Sequence, residues 1–308
     1  MIMSKCTRLL RSRVHIILLA PALAVIGVVQ LYPAVYSIWL SFQKVAGTRA
    51  TPVGLRNYAL VFGSRAFAES AWHTAFFLIG YVAITLLLGL GVALLLNRRM
   101  RLSTLYATLL FVPWVLSDVV VGLVFKLFVD PETGLFSPLL AGPMFGLQGS
   151  ALLTYVPTER AFPGVPWPPA PALFYLIAAA AWKALPFVTL LALAALQTVP
   201  REVLESAALD GAGPARIFRS ITLPLILPSA LVAAFNLILG GMNGVGMVFA
   251  LTGGGPGTST ELLSLLLYSI GFSALDFGRA AALSVFIAAV NLALLAAVLR
   301  VSRAREAA

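Results

Sequence analysis

Pro200-Arg-Glu-Val-Leu-Glu205-Ser-Ala-Ala-Leu-Asp210-Gly211-Ala-Gly213-Pro214-Ala-Arg-Ile-Phe-Arg-Ser-Ile221-Thr-Leu223-Pro224 separates two strongly apolar runs, and its reading organises the whole chain. Pro200 suits the first turn of a helix, and Glu202 and Glu205 favour that helix's positive end. Gly211 and Gly213 permit the positive φ that stops a helix, and Pro214 can open the next one. The stretch therefore predicts a short helix, a sharp turn and a second helix that runs into the following apolar segment. Leu204, Ala207, Ala208 and Phe218 are apolar at a place where lipid does not require them. An apolar, acid-tipped knob of this kind suits a socket on another protein. The plainer alternative is a helical hairpin with no partner.

Outward from this elbow the chain consists of apolar runs. A membrane-crossing helix needs about 20 mostly apolar residues. Six stretches qualify: 14–41, 72–96, 104–128, 172–197, 222–251 and 279–301. Of the 308 residues, 60% are hydrophobic and 10% charged. A water-facing surface usually draws on about 25% charged residues, so a lipid-facing exterior is expected. The mean hydropathy of +0.98 agrees. The expected fold is all-α and polytopic, with six transmembrane helices. The first run, 14–36 and beyond, is too long for the core of a signal peptide, and no A-x-A site follows it. It is expected to stay as an anchor helix.

The net charge of +10 could suggest a nucleic-acid binder, but the bases lie between apolar runs and not on one soluble face. Lys5, Arg8, Arg11 and Arg13 precede the first run, and Arg98, Arg99 and Arg101 follow the second. Arg201, Arg216 and Arg219 follow the fourth, and Arg300, Arg303 and Arg305 end the sixth. With six spans these groups share one side, which the positive-inside rule makes cytoplasmic, so both termini are expected inside. Asp130, Glu132, Glu159 and Glu261 fall on the opposite side, although Lys44, Arg49, Arg56 and Arg65 weaken the asymmetry there. The expected organisation is an anchor helix and first outer loop over 1–71, a membrane core over 72–303 and a cytoplasmic tail over 304–308. The outer loop from Asp130 to Pro171 is rich in proline. It reads either as a semi-rigid surface for a partner or as a plain connection.

The sequence argues against self-contained chemistry. A phosphate-cradling GxxxxGK[ST] loop is missing, because none of Lys5, Lys44, Lys126 and Lys183 follows a glycine. His15 and His73 are isolated, which gives neither metal-ligand spacing nor a nucleophile with its base, and His73 is expected at the membrane interface. The lone Cys6 excludes an internal disulfide. Polar groups inside apolar runs mark watery paths or pairings. Asp118, Lys126, Lys183, Asn236 and Asn243 are of this kind, with Lys126 and Lys183 near enough to an end to snorkel. Asp118 is open to substrate contact or to pairing with a neighbouring Lys. It also keeps alive a rival reading, a carrier driven by an ion gradient. Four glycines within 240–246 let helices approach or leave room for a ligand. The expected substrate path is Asn243, Gly241, Gly244, Asp118 and Trp114.

The elbow resembles the coupling-loop signature of ABC importer permeases: EAA, a Gly three residues on, a nine-residue spacer and I-x-L-P. Glu205, Gly211, Ile221, Leu223 and Pro224 fall at the matching places, and Ser206 replaces the usual first Ala before Ala207. Trp182-Lys183-Ala-Leu-Pro186-Phe187, Leu196-Gln197-Thr-Val-Pro200, Leu251-Thr252-Gly-Gly-Gly255-Pro256, Thr260, Tyr268 and Asp276-Phe-Gly278 are similar to sugar-branch members, maltose-type and MalF-like, over about residues 72–303. The resemblance implies a type I ABC importer permease fold and half of the translocation pore for a carbohydrate in a binding-protein-dependent importer. Glycerol phosphate or another small solute is the alternative cargo. It also implies partners: a second, homologous permease subunit in a heterodimer, two ATP-binding subunits and an extracytoplasmic solute-binding protein. ATP and Mg would be bound by the ATPase subunits, with no cofactor in this chain. Glu205, Ser206, Ala207, Ala208, Asp210, Gly211, Ile221, Leu223 and Pro224 would form the docking loop.

Overall fold

The computed structural model describes residues 19–47, 49–98, 103–130, 133–135, 160–162, 165–166 and 170–306. Residues 14–18 of the first run and most of the proline-rich loop lie outside the described residues. In chain order the elements are α1 (Leu19–Ser41), β1 (Gln43–Ala46), β2 (Arg49–Pro52), α2 (Arg56–Phe62), α3 (Arg65–Leu96), α4 (Ser103–Val115) and α5 (Asp118–Phe128). Then follow β3 (Arg160–Phe162), β4 (Val165–Pro166), α6 (Pro171–Gln197), α7 (Arg201–Leu209), α8 (Pro214–Asn243), α9 (Gly246–Leu251), α10 (Leu263–Ser273) and α11 (Phe277–Glu306). Helices α1, α3, α6, α8 and α11 are long and apolar enough to cross a membrane. The pair α4 and α5 makes a sixth if a bend of 99° is counted within one span.

That bend divides the expected span over 104–128 into two helices. Pro113 cannot donate to the helix ladder near the end of α4. Ser117 is extended (ψ 154°), and its hydroxyl accepts from the Val120 N–H at 3.3 Å, so α5 starts afresh with its own cap. The run 222–251 is also divided. Helix α8 begins earlier, at Pro214, and stops at Asn243, after which Gly244 is extended and α9 restarts at Gly246. The glycine-rich stretch is thus a helix break. Helix α10, apolar but shorter than a span, was not among the six runs. Two short antiparallel pairs supplement the helices: β1 with β2 (Gln43 opposite Pro52, Ala46 opposite Arg49) and β3 with β4.

The chain divides into two compact units. One comprises Met1–Gly63 and Ile270–Phe286. Here buried Asn57 donates through Nδ2 to the carbonyls of Ser41 and Gln43, each at 2.8 Å, and Ser41 Oγ lies 2.8 Å from the Tyr58 hydroxyl. Asp276 caps α11, accepting from the Arg279 N–H at 3.0 Å and from Arg279 Nε at 2.7 Å. A Cβ at Gly278 would run into the Gln43 carbonyl, which explains a glycine there. The Asp276-Phe-Gly278 motif is therefore structural. Apart from Ser41 at its end, α1 has no buried residue within the chain, which leaves the helix to lipid or to a partner.

The other unit comprises Ser64–Ser269 and Ile287–Ala308. Its main core joins Phe77 and Tyr81 of α3, Val121 of α5, Leu173 and Leu176 of α6, Leu237 of α8, Met247 and Leu251 of α9 and Leu265 of α10. Lipid tails are as apolar as leucine, so this core is held by close packing more than by release of water. Gly89 shows how close: a Cβ there would sit 2.6 Å from Val188 of α6. A second cluster joins Ala93, Ala195, Leu196, Val199 and Ile226, with Leu204 of α7 and Leu223 of α8 packed against it.

Candidate functional site

Two regions of the second unit bear on function. The first is the elbow. Helix α7 has no buried residue. Leu204 attaches it to the cluster beneath, and Leu223 anchors the return arm. The turn follows the αL pattern that its glycine permits. Gly211 has φ +80°, its N–H donates to the Ala208 carbonyl at 3.1 Å, and the Ala212 N–H donates to Ala207 at 3.0 Å. These two bonds are the Schellman closure of a helix C-terminus. Pro214 then occupies the first turn of α8, and the Arg216 and Ile217 N–H groups donate to the Gly213 carbonyl. Ahead of Pro224, the backbone over Phe218–Thr222 widens into a π turn, which accommodates a residue without an N–H. Glu205, Ser206, Ala208, Asp210, Gly211 and Pro224 are exposed, while Ala207, Ile221 and Leu223 are half-buried. Leu209, which the sequence pattern did not single out, is 89% exposed at the tip beside Asp210. The expected helix, turn and helix are all present.

The second region is a cavity of about 190 Å³ among α3, α4, α5, α6, α8 and α9. Asp118, Trp114, Gly241 and Gly244 line it, as does Asn236. Asn243 is not among its lining residues; its amide turns back to donate to the Leu239 carbonyl at 2.7 Å. That carbonyl lies one turn back in the same helix, so the Asn243 amide is engaged within α8. Asn236, one of the intramembrane polar residues, is the amide that reaches the cavity. Trp114 stacks on Phe187 with ring centroids 6.3 Å apart and planes 11° from parallel.

Lys183 does not snorkel. It lies within α6 and donates to Asp118 Oδ1. Of the two readings open for Asp118, pairing with a neighbouring lysine is the one observed, and the carboxylate still faces the cavity. A charge taken out of water needs a partner, so opposite charges in separate apolar runs were the available sequence signal. Lys126 is exposed in the last turn of α5.

His73 is 2% exposed and so is buried within the protein. Around it the segment 252–262 attaches to α3: Thr258 Oγ1 donates to Glu69 Oε2 at 3.1 Å, and the Leu263 N–H donates to Thr74 Oγ1 at 2.8 Å. Glu69 also accepts from Arg65 Nε at 2.6 Å. Glu261, in the connection outside the spans, has its carboxyl pushed above the ordinary range, first by burial and second by the negative charge of Glu69. No group of three or more His, Cys, Asp or Glu side chains could hold a metal ion among the described residues.

Residues 85–306 match the family model described as a binding-protein-dependent transport system inner membrane component. The chain is 32% identical over 296 residues to the sulfoquinovosyl glycerol transport system permease protein SmoG of Agrobacterium fabrum, covering 94% of this chain and 91% of the relative. It is 30% identical over 297 residues to the trehalose/maltose transport system permease protein MalF of Thermococcus litoralis, covering 96% and 95%. A chain from the crystal structure of a bacterial ABC transporter involved in the import of the acidic polysaccharide alginate superposes with a TM-score of 0.76, covering 97% of this chain and 98% of that one. At 20% identity that likeness speaks for the fold. The family match covers the elbow and most of the cavity lining, both relatives cover nearly the whole chain, and the chain belongs to the binding-protein-dependent transport system inner membrane components, the multi-pass permease subunits of ABC importers.

Proposed function

We propose that this chain forms one half of a carbohydrate path through the membrane and that the elbow at 200–224 couples it to a separate ATPase. In this reading both termini and the elbow face the cytoplasm. Two ATP-binding subunits, which hold ATP and Mg, dock on α7, and their closure on ATP moves the two permease halves. A second, homologous but different permease subunit completes the pore, and an extracytoplasmic solute-binding protein delivers the solute to the outer loops. The solute class draws support from a relative described as a trehalose/maltose permease.

The observation that carries the proposal is the exposure of α7. An unburied helix ending in an 89% exposed leucine is poorly suited to water unless another surface covers it. Leu204 ties the same helix, and Leu223 its return arm, to the α3–α6–α8 cluster, so a push on α7 is delivered to the spans. The cavity agrees with a shared pore. Pockets that enclose a drug-sized ligand measure about 300–1,000 Å³, and this one is smaller, as a path with one missing wall would be. The proposal further assigns Asp118, Trp114, Gly241, Gly244 and Asn236 to the path.

The test is Glu205→Lys in the complete importer, read by ATP hydrolysis and solute uptake measured together. The expected result is an assembled complex that still hydrolyses ATP while uptake falls by about tenfold or more, as loss of a charge-assisted contact at an interface allows. ATP-driven uptake at the normal level would refute the coupling role.

A further inference from the structure

Among the side chains lining the cavity, Asp118 and Lys183 carry charge, and the charges are opposite. The Lys183 ammonium donates to Asp118, so the pair is neutral as a unit. Its two halves are not presented equally. The Lys183 side chain is 20% exposed and that of Asp118 is 45% exposed, so the open face of the pair is the carboxylate. Asp118 is held in place from several directions. It stands in the first turn of α5, whose free N–H groups favour an anion, and Ser117 caps that turn. The α8–α9 break is pressed against it: a Cβ at Gly246 would lie 3.3 Å from the Asp118 Cβ, and one at Gly244 would lie 3.9 Å from its Oδ2. The cation is therefore committed before any solute arrives.

We infer that this half of the path is built for uncharged, hydroxyl-rich solutes and discriminates against phosphate-bearing or other anionic ones, with the Asp118–Lys183 pair as the determinant. An incoming anion meets the exposed carboxylate first, and it can reach the ammonium only by displacing Asp118 inside a poorly screening medium. A neutral sugar meets partners it can use. The carboxylate accepts from hydroxyls, the Asn236 amide both donates and accepts, and Trp114 offers an aromatic face already braced by Phe187. The inference rests on the proposed assignment of this cavity to the solute path, and it names the class of solute that path takes.

The test uses the assembled transporter in lipid nanodiscs without ATP. Trp114 fluorescence, referenced to Trp114→Phe, is followed during titration with sn-glycerol 3-phosphate. The wild type is expected to give no saturable response. Asp118→Asn, which releases Lys183, is expected to bind the probe roughly tenfold or more tightly, and Asp118→Asn/Lys183→Gln is expected to lose that gain. A saturable response of the wild type overturns the inference, and so does an assembled Asp118→Asn that gains nothing. The wild-type measurement decides alone if the variant does not assemble. Because binding is read without hydrolysis, failure here leaves the elbow's coupling role standing, and failure of coupling leaves this result standing.

Discussion

The elbow and the cavity lie in the same unit of the chain but are specified in different ways. The elbow is local: its helix, Schellman closure and return arm are written in 25 consecutive residues, Pro200 to Pro224. The cavity is assembled from Phe77 to Leu262, and it depends on two helix breaks that bring Asp118 and Gly244 together. A local device needs little except its own caps and hinge. An assembled one needs every packed neighbour, so its substitutions should couple to each other and those in the elbow should not.

The largest expected effect lies in the elbow. Gly211→Val places a β-branched residue at φ +80°, a strain of about 1–3 kcal/mol concentrated in the hinge. ATP-coupled uptake should be lost while the spans remain folded, checked by uptake together with thermal unfolding of the purified complex. Unfolding of the spans themselves would show that the elbow is not the independent device described.

Next comes the pair in the cavity. Lys183→Met leaves a partly exposed Asp118 without its partner and should cost about 1–3 kcal/mol of stability. Lys183→Met/Asp118→Asn should recover most of that loss in the same denaturation measurement. Additive losses would break the claim that the cavity behaves as a coupled unit.

Two serines sharpen the contrast further. Ser117 caps α5, so Ser117→Ala should cost about 1 kcal/mol. Ser206, exposed and bonded within its own helix to the Val203 carbonyl, should tolerate Ser206→Ala within about 0.5 kcal/mol. Equal effects would erase the distinction between a cap at a break and a surface position.

The smallest effect is one of pH, in the segment 252–262. Glu261 titrates above its ordinary range, so the folded state holds that proton more tightly than the unfolded state does. Its contribution is complete below the ordinary carboxylate range and is lost as pH rises through the raised value. Hydrogen exchange at the Leu263 amide, corrected for intrinsic rate, should therefore quicken over that rise, and Glu261→Gln should flatten the profile.

The same contrast accounts for what could be read in advance. Apolar length located the spans, and Gly211 and Pro214 located the elbow, because helix length and φ are properties of short windows; Gly213 keeps a negative φ of −68°. The 99° break at Leu116–Ser117 is not legible in sequence, because Pro113 within an apolar run is tolerated in membrane helices when neighbouring groups satisfy the backbone. Sequence leaves Lys183 open to snorkelling or to pairing, because its partner lies 65 residues away in the chain. The burial of His73 is not legible in its own stretch of sequence, because the segment that packs over α3 there, 252–262, lies about 180 residues further on. Asn243 and Asn236 could not be separated by sequence, since both belong to the same stretch of α8. They lie two turns apart, and the bond of Asn243 back to Leu239 of its own helix leaves Asn236 as the amide that lines the cavity.

The central claim is that α7 is covered by an ATP-hydrolysing subunit. Its most direct test is site-specific disulfide or thiol crosslinking from Leu209→Cys, in a Cys6→Ser background, within membranes that carry the working importer. The account predicts a crosslink to the ATPase subunit whose yield changes on addition of ATP. Undiminished uptake with Leu209 never reaching that subunit would contradict it.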